Sequence, residues 1–586
     1  MFFHCREQSR LLDYLNVLWH GLRLDITTAA YLTVIPLLLI MVSLWYNGRA
    51  KSKNKSPIQK IIKIYSYFIA VIVCLLFAID NVLYSYWGFR LDETALFYLQ
   101  FPEDAANSIT WSDIGKAAAV FVPYLTAVIF IYIAMFKKTK IETNNRKIGR
   151  KFGQSLIFVL MMPILFIAIR GGVSTATANV GMVYYSDKQK LNHAAINPLF
   201  NLVYSMLNAE NFSEEFDFYD EPTRQQIFTS LTQYQHSEPL SVLTTQHPNV
   251  LIIVLESFTA GVVEAVGGEK GATPHLNELS RQGILFTNCY ANSFRTDRGL
   301  VSVLNGYIAP PTTSVMKYPS KSQSLPSIAK ALQSKGYVND MLYGGDINFT
   351  NMQSYFYGSG YEAIVSDKDF PIAQRLSKWG ANDDVTFNYL YNSLLKRDKS
   401  KRFLTTFLTL SSHEPFDVPF HHFDDPFVNA AAYTDSCIGD FVKRIEQTPI
   451  WKDLLIIFVA DHGIAFPKGT LYYEPQRFRI PMLWIGGAVK EPMIISKICN
   501  QSDIAATLLA QLGVSYSDFV FSKDVFDALS PQYAIFTYNN GFGFVDSTGF
   551  SVYDNNRNLP LMNADSSRIS RGKALIQTLY DDLGAR

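Results

Sequence analysis

The chain is poor in cysteine. It holds five in 586 residues, Cys5, Cys74, Cys289, Cys437 and Cys499, odd in number and widely scattered. That spacing excludes a disulfide framework even for an exported domain, and the five read as packing residues. It also lacks a dominant charge: 52 Lys and Arg stand against 51 Asp and Glu, a formal net charge of +1, which leaves no electrostatic footprint for nucleic acid. Internal repeats and low-complexity tracts are missing too.

Ionised groups are scarcest in Ile26 to Gly48, Ile64 to Trp87, Ala117 to Met135 and Phe152 to Ile169, where Asp80 is the only one. Each stretch approaches the roughly 20 apolar residues that span a bilayer. Four such runs in succession exceed what a soluble core supplies, so they predict four transmembrane helices. Asp80 either lines a polar bundle interior or snorkels toward the interface. Arg49, Lys51, Lys53, Lys55, Lys60 and Lys63 crowd the first connection and Lys137, Lys138, Lys140, Arg146, Lys147, Arg150 and Lys151 the third, while Asp92, Glu93, Glu103, Asp104 and Asp113 dominate the second. By the positive-inside rule the first and third connections are cytoplasmic. Everything after Arg170 is then expected in the extracytoplasmic space.

Beyond the helices the sequence divides into a connector (171–244), a catalytic domain (245–529) and a C-terminal subdomain (530–586), after a membrane domain (1–170). In the connector, Leu199, Leu202, Val203 and Met206 stand at helical spacing, as an amphipathic helix on the membrane or one packed on the next domain. Acidic Glu210 to Glu221 reads as solvated linker. Near the end, Tyr538-Asn539-Asn540-Gly541-Phe542-Gly543-Phe544 suggests antiparallel strands with turns, followed by a helix.

Two apolar runs carry the chemistry. Val250 to Leu255 runs into Glu256-Ser257, and Leu454 to Ala460 runs into Asp461-His462-Gly463. Short β-branched runs without polar alternation read as parallel strands buried on both faces, and their carboxyl ends face the crevice where α/β sheets bind ligands. Glu256, Asp461 and His462 would gather on that rim as oxygen and nitrogen donors for a divalent cation. Thr296, in Asn292-Ser293-Phe294-Arg295-Thr296-Asp297-Arg298-Gly299, would complete the shell, its hydroxyl activated by the metal. Taken singly, Glu256 is a capping or solvated group and Thr296 a helix N-cap; the ordered set is what makes them specific.

From about Asn249 to Gly513 the chain resembles the catalytic domain of lipoteichoic acid synthase and its relatives, the phosphoglycerol transferases, within the alkaline phosphatase and sulfatase superfamily. The matching pieces are Val254-Leu255-Glu256-Ser257-Phe258, the Thr296 segment, Leu410 to Phe416, Ala460-Asp461-His462-Gly463, Arg479-Ile480-Pro481 and Gln501 to Leu509. The resemblance implies an α/β fold: a transmembrane helix bundle, then a sulfatase-like domain with a central, mostly parallel sheet and a small C-terminal α+β subdomain. It implies Glu256, Thr296, Asp461 and His462 as ligands of one divalent cation, manganese ahead of magnesium or zinc, with Thr296 transiently carrying the transferred group. His413 would contact the phosphate, Trp379 would wall the head group or pack at a seam, and Asp346 would touch substrate or cap its loop. His421 and His422 are left as an exposed loop pair.

Formylglycine-type sulfatases need Cys or Ser followed by x-Pro-x-Arg, and neither Cys289-Tyr290-Ala291-Asn292 nor the Thr296 segment supplies it. One metal fits better than two, since His413 is the only spare ligand type in a matched motif. The expected reaction moves phosphoglycerol from phosphatidylglycerol, through Thr296, onto an envelope polymer, glycan or lipid at the bacterial cytoplasmic membrane. Phosphoethanolamine transfer, phosphate- or sulfate-ester hydrolysis and a catalytically silent envelope-binding sensor are the alternatives. Relatives of this family generally carry five membrane helices where four are visible here. The expectation is that the first family helix is missing and that Leu11 to Leu22, too short to span and containing Asp13 and His20, lies at the interface.

Overall fold

The computed structural model describes residues 10–45, 57–87, 90–92, 111–138, 148–174, 176–207, 212–237 and 240–586. Cys5, the basic loop 49–55, Glu93, Glu103 and Asp104, Lys140, Arg146 and Lys147, and Glu210 lie outside the described residues. The chain divides into two compact units, 1–209 and 210–586.

The first unit is helical. Helices α1 (Leu11–Trp45), α2 (Pro57–Trp87), α3 (Trp111–Lys138) and α4 (Ile148–Arg170) are each long and apolar enough to cross a membrane. Packing pairs α1 with α4 and α2 with α3. The expectation of a separate piece over Leu11 to Leu22 is corrected, because this stretch is the first third of α1 and continuous with it. Val17, Gly21, Leu24 and Thr27 form one buried stripe that crosses the supposed boundary without a break. The polar residues that argued against continuity have partners: Asp13 accepts the Arg10 N–H at 2.8 Å, and His20 stacks on Tyr185 at 4.3 Å. Asp80 is buried as an ion pair with Arg90 at 3.1 Å and accepts the Leu91 N–H. Two short helices follow, α5 (Gln189–Ala195) and α6 (Pro198–Leu207); α6 packs on α1 and α2, with Leu202 buried and Val203 and Met206 exposed.

In the second unit a nine-stranded sheet has the order β4-β3-β5-β1-β6-β7-β2-β8, with β9 also on β2. The strands are β1 (Asn249–Leu255), β2 (Ile284–Tyr290), β3 (Val338–Tyr343), β4 (Ala363–Val365), β5 (Phe403–Leu408), β6 (Leu454–Ala460), β7 (Arg479–Ile485), β8 (Met493–Ile495) and β9 (Cys499–Asn500). All pairings are parallel except those of β7 with β6 and β2. Every side chain of β6, and every one of β1 after Asn249, is buried, as unalternating apolar runs require. A four-stranded antiparallel sheet, β10 (Tyr533–Tyr538) to β11 (Gly541–Asp546), β12 (Gly549–Asp554) and β13 (Leu559–Met562), completes the unit with helix α7 (Ser566–Ala585). The Asn500 amide ties the two sheets by accepting from the Ile535 N–H and donating to its carbonyl.

The solvated-linker reading of the acidic stretch is also corrected from Phe212 onward. Phe212 and Phe216 are buried, and both rings contact Tyr580 of α7, Phe216 edge-on at 4.7 Å. Phenylalanines interleaved with the acids outweigh the charge pattern.

Candidate metal centre

Register builds the centre. In the parallel β1–β6 pair Leu255 lies opposite Ala460, so the next residues, Glu256 and Asp461, leave the sheet side by side. Glu256, Asp461 and His462 are buried, and one ligand atom from each lies within 4.8 Å of the others; among the described residues this is the one such group of His, Cys, Asp and Glu. His462 Nε2 stands 3.7 Å from Glu256 Oε1 and 3.5 Å from Asp461 Oδ2. Thr296 joins them from the start of the helix that follows the loop after β2, its Oγ1 donating to Glu256 Oε2 at 3.2 Å. It is not the N-cap that the residue taken singly suggested. Helix α8 (Thr296–Asn305) begins with Thr296 itself, Arg295 occupies the cap position, and the threonine hydroxyl is turned to Glu256.

Hydrogen bonds fix each donor atom. Asp461 Oδ1 accepts from the backbone N–H groups of Ser257 and His462 at 2.8 and 2.7 Å, whereas Oδ2 is buried without a hydrogen-bond partner. Ser257 Oγ donates to Glu256 Oε1 at 2.8 Å, and Ser257 holds a φ of 59°, a strained conformation for a side-chain-bearing residue. His462 Nδ1 faces the Gly463 carbonyl, leaving Nε2 toward the carboxylates. Burial and then the neighbouring Asp461 charge push Glu256 up to about 7; burial pushes Asp461 up to about 6 and lowers His462. Two buried carboxylates, an imidazole and a hydroxyl, one oxygen unpartnered, fit a bound cation, which would relieve the crowding of negative charge. The group can hold a metal ion.

Neighbouring loops supply the other candidates. His413, after β5, is half-buried; its ring lies 4.4 Å from that of Trp379, and its Nδ1 faces the Glu414 carbonyl. Trp379 Nε1–H donates to the same carbonyl and the ring meets Phe349 edge-on, so Trp379 is an aromatic wall beside His413. Asp346 is buried, and its Oδ1 accepts two hydrogen bonds from Asn348, closing its own loop. His421 and His422 are exposed, and His422 stacks on Phe420 instead of joining the cluster.

Three supporting residues were not singled out from sequence: Ser257, Gly299 and Gln501. The Gln501 amide donates to the carbonyls of Gly299 and Asp461, clamping α8 to the end of β6. A Cβ on Gly299 would collide with the Asp461 carbonyl. A glycine one turn into a helix was the available signal, since it disfavours helix unless another backbone must come close.

Residues 248–514 match the sulfatase family model. That segment is therefore similar to a sulfatase domain. Similar curated proteins include lipoteichoic acid synthases and a phosphoglycerol transferase. The lipoteichoic acid synthase-like protein YvgJ of Bacillus subtilis is 22% identical over 55% of this chain and 58% of its own. Lipoteichoic acid synthase 2 of the same organism is 24% identical over 50% and 49%, and phosphoglycerol transferase I of Xanthomonas axonopodis is 24% identical over 35% and 31%. The match thus spans about half the length of the first two relatives. Among solved structures, an alkaline phosphatase superfamily protein from Vibrio parahaemolyticus superposes with a TM-score of 0.55 at 27% identity, covering 63% of this chain and 98% of that one. The lipoteichoic acid synthase LtaP of Listeria monocytogenes shares the fold, with a TM-score of 0.53 at 18% identity over 61% and 98%. Four membrane-capable helices together with these relatives mark a membrane protein.

Proposed function

We propose that this is a metal-dependent phosphotransferase that moves the phosphoglycerol head group of phosphatidylglycerol onto Thr296 and then onto a hydroxyl of an envelope polymer, glycan or lipid. The observation that carries the reading is the Thr296 hydroxyl on Glu256, beside Asp461 and His462. Glu256, Thr296, Asp461 and His462 would hold one divalent cation, manganese by preference, which lowers the hydroxyl pKa and offsets phosphoryl charge. The Thr296 Oγ–P bond forms as the P–O bond to diacylglycerol breaks, and the hydroxyl proton leaves along the hydrogen bond to Glu256. His413 Nε2, directed away from the Glu414 carbonyl, contacts the phosphate and supplies the proton that diacylglycerol takes up; Trp379 lines the glycerol side, and Asp346 shapes the loop opposite. Attack by the acceptor hydroxyl reverses these bond changes and frees Thr296. The basic first and third connections support a bacterial cytoplasmic-membrane protein whose site, within 245–529, faces outward.

The test incubates detergent-solubilised protein with phosphatidylglycerol and phosphatidylethanolamine in parallel, with and without manganese, and measures released diacylglycerol. Manganese-dependent release from phosphatidylglycerol, with a phosphoglyceryl adduct on the Thr296 peptide that Thr296→Ala abolishes, is expected. Release from phosphatidylethanolamine alone would shift the reading to phosphoethanolamine transfer, and parental turnover by Thr296→Ala would end it.

A further inference from the structure

Arg477 has no part in the reading above, yet it lies against the centre. Its backbone carbonyl packs on Gly463, the residue after His462, so closely that a Cβ there would collide with it. Its guanidinium carbon lies 5.3 Å from the centre of the Phe294 ring, two residues before Thr296. The residue thus has its backbone against the segment after His462 and its side chain over the ring of Phe294, on the loop that leads to Thr296. Its charge reaches the centre, being among the influences that lower His462.

Arg477 has no counterion among the described residues. Among the described residues it forms no ion pair, its Nε–H is buried without a hydrogen-bond partner, and one Nη makes a long 3.4 Å bond to the Tyr472 carbonyl. Arg295, on the same loop as Phe294, differs in pairing with Asp297. A half-buried guanidinium without an anion is unfavourable unless an anion arrives, and its planar fork matches a tetrahedral oxyanion.

We propose that Arg477 is a catalytic residue that donates Nε–H and Nη–H to the non-bridging oxygens of the group carried by Thr296. This deepens the proposed function and fixes the substrate as a tetrahedral oxyanion ester. Negative charge that builds on those oxygens as the Thr296 Oγ–P bond forms is met by donors already stacked in place on Phe294. The fork also selects against neutral esters.

The test uses the full chain in detergent with manganese, comparing the parent with Arg477→Ala and Arg477→Lys. Manganese content is read first and is expected to be equal in all three. Orthovanadate, a tetrahedral oxyanion, should raise the parent's melting temperature, raise that of Arg477→Lys less, and leave Arg477→Ala unmoved. In lipid turnover, kcat of Arg477→Ala should fall about 10²–10³-fold with little change in KM, as for loss of one oxyanion donor, and added guanidinium should restore part of it. Vanadate stabilisation that depends on Arg477 without turnover of either lipid would keep this assignment and sink the phosphoglycerol reading. Parental vanadate binding in Arg477→Ala, or a loss shared with manganese content and not rescued by guanidinium, would overturn the assignment.

Discussion

Gly299 and Asp461 touch backbone to backbone: the α carbon of Gly299, in the first turn of α8, faces the Asp461 carbonyl with no room for a side chain. Ordinarily Gly→Ala in a helix gains up to about 1 kcal/mol. Here the methyl would meet a carbonyl at the end of a buried strand, which cannot rotate away. Overpacking of this kind costs about 1–3 kcal/mol, so the clash wins. Gly299→Ala should melt lower and bind manganese more weakly, as read by thermal unfolding and metal analysis.

Metal analysis also separates ligands from their supports. Glu256→Gln, Asp461→Asn and His462→Ala should each strip manganese, because each removes a donor atom of the cluster. Ser257→Ala keeps every donor but loses the Oγ bond that orients Glu256, and should weaken affinity roughly 10- to 100-fold. His413→Ala should keep the metal and lose turnover. Equal occupancy across all five variants would contradict this division.

Acidity should act oppositely on the metal-free and metal-loaded protein. Burial raises Glu256 to about 7 and Asp461 to about 6, above the roughly 4 of an unfolded carboxyl. The metal-free fold binds these protons more tightly than the unfolded chain, so its stability from them is full below about 4 and is lost as pH rises through about 6–7. A cation competes with the same protons, so loading strengthens over that window. The melting-temperature difference between manganese and EDTA samples should widen from pH 5 to 8, and Glu256→Gln should flatten it.

Orientation is testable at two exposed positions flanking membrane-capable helices. Trp111 opens α3 and Ile148 opens α4, with relative exposures of 88% and 71%. In a background lacking Cys5, Trp111→Cys should react with a membrane-impermeant thiol reagent on intact cells, and Ile148→Cys only after lysis. The reverse pattern would invert the topology and put the centre in the cytoplasm.

The strands and the acids at their ends were legible in the sequence because β1 and β6 are buried on both faces, which removes alternation and leaves Glu256 and Asp461 as abrupt polar stops. What was hidden depends on partners distant along the chain. His20 argued against a helix until Tyr185, far along the sequence, stacked on it. The acids after Phe212 suggested solvent until Tyr580 covered the phenylalanines between them. Arg477 sits in a four-residue helix, Pro475–Phe478, too short to show periodicity, and only folding reveals that it forms no ion pair among the described residues.

The Leu255–Ala460 register has one more consequence. Glu256 and Asp461 come from strands adjacent in space but separated by most of the domain's sequence, so no partial chain ending before β6 holds a cation. In the proposed outward topology, capture of a cation would wait until β6 has emerged and paired with β1. A cation held there would then be drawn from the compartment where the sheet closes, and the metal supply in it, as much as the affinity of the donors, would decide which cation the mature protein carries.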